Sequence, residues 1–153
     1  MTAPADPQAG SESVELVRRA VEAFNRAVAN RRPDPWLTLY DADFEGEELE
    51  GSTALRHVRG HGGLRAWFAR TLERFEAPRV EVHEAVTTGP DEVITAERWI
   101  APAREGGGGL DARVFCVNAA RRGRIASRHV FATREEAVAA AVGERAPGAI
   151  AYD

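Results

Sequence analysis

Apolar residues recur three or four positions apart along the first half of the chain, and at every second position after Pro78. Val14, Val17, Val21, Phe24 and Val28 make one stripe of an amphipathic helix starting at Ser13. Glu15 and Arg19 stand one turn apart on its polar side, and Arg31 and Arg32 suit the negative end of the helix dipole. Asp34-Pro35 reads as a second helix start, with Asp as cap and Pro at the first helical position. The segment "PWLTLYDADF" then carries that helix for about two turns. Phe44 to Leu49 is short and acidic and suits one strand, and the path to Gly63 is irregular. Residues 64–75 predict a third helix, with Leu64, Trp67, Phe68, Leu72 and Phe75 on one side.

Beyond Pro78 the segments "RVEVHEAVTT", "EVITAERWIAPA", "LDARVFCVNAA" and "RIASRHVFAT" alternate as strands do. "RRGR" is a short hairpin turn in which Gly123 supplies a positive φ, and Gly106 to Gly109 make a longer, mobile connection. Thr133 and Glu136 have the spacing of a capping box, so a last helix runs to Val142. Helices followed by an antiparallel meander predict an α+β domain with helices packed on one face of a curved sheet. Residues 1–11 are rich in Ala, Pro and Gly and read as a disordered tail. The domain is expected over 12–142, with a flexible tail over 143–153.

At 153 residues the chain suits a single domain, and one of that size buries roughly 70% of its unfolded surface. A net charge of −4 argues against a nucleic-acid partner. No apolar run approaches the ~18 residues of a membrane span, and "MTAPADPQAGSES" lacks the charged-then-apolar pattern of a leader. The single cysteine, Cys116, sits in the apolar "VFCVN" and reads as a small buried hydrophobe in a reducing, cytoplasmic setting.

"RGHGGLRAWFARTLERF", residues 59–75, sets a histidine among glycines ahead of a helix, where a phosphate cradle is one reading. It lacks the lysine of a phosphate-binding loop, and Arg65 stands where a dinucleotide turn needs its last glycine. His61 is therefore expected to open the helix. His57, His61, His83 and His129 are scattered without a carboxylate or cysteine at ligand spacing, so no metal and no cofactor are expected.

Five stretches together resemble the SnoaL-like branch of the nuclear transport factor 2-like superfamily. They are "VELVRRAVEAFNRA" at 14–27, "LTLYDADF" at 37–44, "RGHGGLRAWF" at 59–68, the valine-rich strand at 93, and "RRGRIASRHVFATREEAVAA" at 121–140. The resemblance implies a cone, a strongly bent antiparallel sheet wrapped around N-terminal helices in a cystatin-like α+β barrel that encloses an apolar pocket. It also implies a homodimer packed through the outer face of the sheet, in keeping with Trp99, Phe115 and Phe131 on the strands. The fold serves isomerases, cyclases, dehydratases, epoxide hydrolases and plain binders, so it does not fix a function.

The resemblance also chooses which strand faces point inward. Limonene-epoxide-hydrolase-like relatives carry "ERxD" and "WRDYFD"; here "ERWI" keeps Arg98, while Ile100 and Val130 replace the two aspartates. Ketosteroid-isomerase-like relatives place an aspartate where Gly46 stands, with Glu48 two residues on along the same face. Catalytic residues are therefore not assigned. The pocket is expected to be walled by Trp36, Tyr40, Trp67 and Phe68, with Ile100 and Val130 beside them. Its polar groups are expected to be Glu48, Arg98 and Arg128. The arginines either pair with Glu48 or Glu97, await an anionic ligand, or, for Arg128, reach solvent at the cone mouth. The function expected is binding of a hydrophobic small molecule, acidic if an arginine is free to clamp it. The alternatives are an isomerase, dehydratase or cyclase in the same pocket, or a structural or partner-binding dimer with a filled cone.

Overall fold

The valine stripe lies on helix α1 (Pro7–Asn30) of a computed structural model that describes residues 7–104 and 108–145. The helix starts at Pro7, so residues 7–11 of the expected tail are helical; residues 1–6 and 146–153 lie outside the described residues. Its buried face is Leu16, Val17, Ala20, Ala23, Phe24, Ala27 and Val28. The alanines let the helix axis come close to what it packs on. The end is a Schellman turn: Arg31, at φ 57°, donates to the Val28 carbonyl (3.3 Å) and Arg32 to that of Ala27 (3.0 Å).

Helix α2 (Asp34–Leu37) is one turn rather than two, and strand β1 (Tyr40–Leu49) begins inside the segment expected to be helical. Asp34 caps nothing and instead meets Arg65 at 2.6 Å. The misreading has a physical cause. Tyr40 and Phe44 are both buried while Ala42 between them is exposed, at the irregularity where the pairing with β6 shifts, so the apolar positions stand four apart as on a helix instead of two. Strand β2 (Leu55–Arg59) occupies the stretch expected to be irregular, and helix α3 (Gly60–Arg74) starts within the glycine cluster. Gly60 turns there at φ 66°, and His61 Nε2 is held 2.8 Å from the Tyr40 carbonyl.

Strands β3 (Arg79–Gly89), β4 (Glu92–Ala101), β5 (Leu110–Arg121) and β6 (Arg124–Phe131) form the meander, and helix α4 (Arg134–Arg145) follows. The β5–β6 hairpin has positive φ at both Arg122 and Gly123, as a two-residue primed turn requires. Of the glycine connection between β4 and β5, residues 105–107 lie outside the described residues. Thr133 and Glu136 exchange the hydrogen bonds of a capping box.

The sheet order is β2-β1-β6-β5-β4-β3, an open six-stranded sheet. It is mixed rather than wholly antiparallel: β1 and β6 run parallel. The whole meander separates these two strands in sequence, so no tight turn dictates their direction. Gly46 makes the pairing possible, since a Cβ there would lie 2.0 Å from the Arg128 carbonyl oxygen. Helices α1, α2 and α3 cover the concave face. The convex side of β4 and β5 is covered by Ala137 and Ala141 of α4, which meet Ile94 and Val117 with Phe115 and Phe131 alongside. Asn25 of α1 ties the helix to β3, its side-chain amide both donating to and accepting from the Val80 backbone at 3.0 Å.

Candidate functional site

The interior of the cone is aromatic. Phe24 from α1 sits amid Trp36 (5.5 Å between centroids), Trp67 (5.7 Å), Phe68 (6.0 Å) and Trp99 (5.4 Å). Tyr40 extends the cluster toward β1, 5.2 Å from both Trp36 and Phe44. Trp67 donates its indole N–H to the Leu49 carbonyl at 2.8 Å, which fixes α3 against the end of β1.

Beneath these rings lies a buried ionic cluster drawn from four strands. Arg128 of β6 grips Glu97 of β4 with both terminal nitrogens, at 2.8 and 2.7 Å. The same carboxylate accepts from the Thr95 hydroxyl (2.6 Å) and the Trp99 indole (3.0 Å). Asn118 of β5 accepts from Arg128 at 3.1 Å and donates to Thr95 Oγ1 at 3.1 Å. Glu48 of β1 holds Arg128 only through Nε, at 3.3 Å.

One guanidinium faces two carboxylates, and they divide unequally. Burial would raise Glu97, but the charge and hydrogen bonds of Arg128, with those of Thr95 and Trp99, hold it below the usual range. Glu48, 2% exposed, is raised by burial to about 7, because Arg128 offsets the burial only in part and Glu97 repels it. The cluster therefore alternates between neutral and singly negative near neutral pH. Burial also pushes the Tyr40 hydroxyl and the Cys116 thiol up, which keeps both protonated.

Of the residues expected in the pocket, Trp36, Tyr40, Glu48, Trp67, Phe68, Arg128 and Val130 lie inside the cone. Arg98 and Ile100 do not. The inward face of β4 is Thr95, Glu97, Trp99 and Ala101, which places Arg98 on the convex side, bound to Asp111 by two contacts of 3.2 Å. The resemblance selected the wrong face there because α4 covers the convex side, leaving both faces of β4 apolar. Glu97, expected only as one candidate partner of the arginines, is the residue that Arg128 grips with two bonds. A buried arginine's need of a counter-charge was its signal. Thr95 and Asn118, which complete the cluster, carried none. Gly46 also gains a physical reason, since the backbone of β6 occupies the space any carboxylate would need.

Among the described residues, a space of about 20 Å3 inside the cone is bordered by Ala20, Phe24, Tyr40, Glu48, Val80 and Trp99 among others. A space of that size takes about one water molecule. Larger hollows lie outside, along α1. Among the described residues no group of three or more His, Cys, Asp or Glu side chains is placed to hold a metal ion. No described helix is long and apolar enough to cross a membrane.

The profile of the SnoaL-like domain matches residues 21–128. The chain belongs to the SnoaL-like domain family. Solved structures agree on the fold of this SnoaL-like chain at low identity. A putative SnoaL-like polyketide cyclase from Jannaschia is 21% identical, with 92% of this chain and 96% of that one covered and a TM-score of 0.61. An NTF2-like protein of unknown function from Burkholderia pseudomallei is 17% identical, covering 84% and 95%, at a TM-score of 0.65. A Mycobacterium tuberculosis protein in complex with estradiol-17beta-hemisuccinate is 16% identical, covering 78% and 95%, at a TM-score of 0.61. No curated protein matches the chain.

Proposed function

We propose that this SnoaL-like chain binds a small hydrophobic molecule inside the cone, with the aromatic cluster as wall and the Glu48–Arg128–Glu97 cluster as floor. The observation that carries the reading is Glu48, a buried carboxyl near half-ionisation at neutral pH that borders the interior space beside Tyr40 and Trp99. The neighbour crystallised with estradiol-17beta-hemisuccinate supports small-molecule binding on this fold. Arg128 is already held by two glutamates, and Arg98 lies outside, so the floor has no cation free to clamp an acid. The fitting ligand is therefore apolar with a hydroxyl or N–H group that donates to Glu48. A carboxyl with this pKa is also suited to accept and return a proton, the chemistry of an isomerase or dehydratase.

The space of about 20 Å3 favours a second reading, a filled cone that serves as a scaffold or partner surface. In the first reading α1 or the rings must yield when the ligand enters. All three tryptophans are in the aromatic cluster, so their emission reports an occupant. Native mass spectrometry of the purified chain is expected to show an added small mass that is lost on denaturation. Titration of that compound should change tryptophan emission, and Glu48→Gln should weaken binding by about tenfold. A bare chain whose emission answers to no apolar alcohol or amine would establish the filled cone instead. The proposal includes the homodimer that the family favours, though Trp99 points inward and Phe115 and Phe131 lie beside α4. A scattering mass near 16.6 kDa rather than twice that would remove the dimer.

A further inference from the structure

We propose that the groove between α1 and α2, outside the cone, is a second ligand site that takes a hydrophobic carboxylate. The groove encloses about 470 Å3 over a floor of Ala23, Ala27, Pro35 and Leu39, and Arg19, Arg26 and Arg32 stand around it. Pockets for small organic molecules commonly measure ~300–1,000 Å3.

The placement of the three cations follows from the backbone. Arg19 and Arg26 are seven residues apart on α1, which puts them on one face about 10 Å from each other. Arg32 is brought to the same groove by the Schellman turn, which reverses the chain immediately after the helix. Small side chains at Ala23 and Ala27 leave the floor open, and α2 walls the far side.

Arg56, Arg65, Arg79, Arg98, Arg121 and Arg134 each meet a carboxylate on their own surfaces. Arg19, Arg26 and Arg32 meet none among the described residues, and no acidic residue lines the groove. Arg18, Arg31, Arg113, Arg122 and Arg124 likewise form no ion pair among the described residues; what marks the groove is that three such arginines gather around one apolar floor. Glu15, one turn before Arg19, forms no ion pair with it, contrary to the helical spacing. Three guanidiniums around one apolar floor favour an anion there, and Arg26 and Arg32 lie farther from Glu12, Glu15 and Asp91, which share the next hollow with Arg19. Guanidinium geometry matches a carboxylate through two parallel hydrogen bonds, and the alanine and leucine floor needs an apolar body to cover it. This site stands on observations separate from the cone, whose floor rejects the same ligand.

The test is titration of the full chain with octanoate, followed residue by residue through backbone amide chemical shifts. Octanoate is expected to bind saturably and to move the amides of Ala23, Ala27 and Leu39, while acetate moves none of them and 1-octanol, an apolar alcohol suited to the cone, moves those of Tyr40, Glu48 and Trp99 instead. Arg26→Ala with Arg32→Ala should weaken octanoate by about tenfold or more, and Arg113→Ala, an exposed arginine elsewhere, should leave it unchanged. Raising the salt concentration should weaken it further. Shifts confined to Tyr40, Glu48 and Trp99 would place octanoate in the cone and overturn the proposal. So would the absence of saturable binding, or a double arginine variant that binds as the wild type does.

Discussion

At the scale of single residues, backbone geometry makes the firmest demands. Gly46 has no room for a methyl group, because β6 crosses it with the Arg128 carbonyl in the position of a Cβ. Gly46→Ala is expected to cost about 3 kcal/mol or more of stability, read by chemical denaturation, since only a backbone shift relieves the overlap. Arg31 shows the opposite case, an L-residue at φ 57° where helix ends favour glycine. Arg31→Gly should therefore leave the fold intact and raise stability by up to about 1 kcal/mol. Neither requirement could be read from side-chain patterns. Gly46 looked only like a missing carboxylate, and Arg31 only like a charge placed for the helix dipole.

At the scale of elements, legibility followed how local each determinant is. The stripe of α1, the Leu64–Leu72 face of α3, the four meander strands and the capping box of α4 are set by neighbours within a few residues, and each is present. Phe75, expected on that third helix, lies just past its end in extended backbone and bridges Ala103. Strand β1 was not legible, because the exposed Ala42 between buried Tyr40 and Phe44 removes the alternation and leaves a helical spacing. Strand β2 pairs with β1 across a short connection and carries one buried residue, Val58, so its sequence offers no alternation to detect. Asn25 is a long-range determinant of the same kind, since its amide completes the backbone of edge strand β3 at Val80. Asn25→Ala should cost about 1–3 kcal/mol by leaving those backbone groups without their partner, measurable as a lowered Tm.

At the scale of the whole molecule, the ionic cluster joins β1, β4, β5 and β6 beneath the helices, and its titration is a property of the fold. Glu48 moves from its ordinary 4.5 to about 7, so the folded chain holds an extra proton between those values. Its contribution to stability is complete below about pH 4.5 and declines as pH rises through 7. Glu97, held low by Arg128, acts in the other direction and loses its contribution as the solution becomes strongly acidic. Glu48→Gln should flatten the decline between pH 5 and 7, where the wild type loses about 1–3 kcal/mol in denaturation midpoints followed against pH. Arg128→Met should destabilise by about 3–5 kcal/mol, because it strands two buried carboxyls.

The α+β class, most helices and strands, and the family follow from the amino-acid order, because each rests on local period, local capping or short stretches of neighbouring residues. Long-range packing set β1 parallel to β6 and turned Glu97 rather than Arg98 of β4 inward. It also decided that aromatic rings nearly fill the cone. Those outcomes depend on which surfaces meet across more than 30 residues of chain, and a strand with two apolar faces does not announce which one will be covered by a helix.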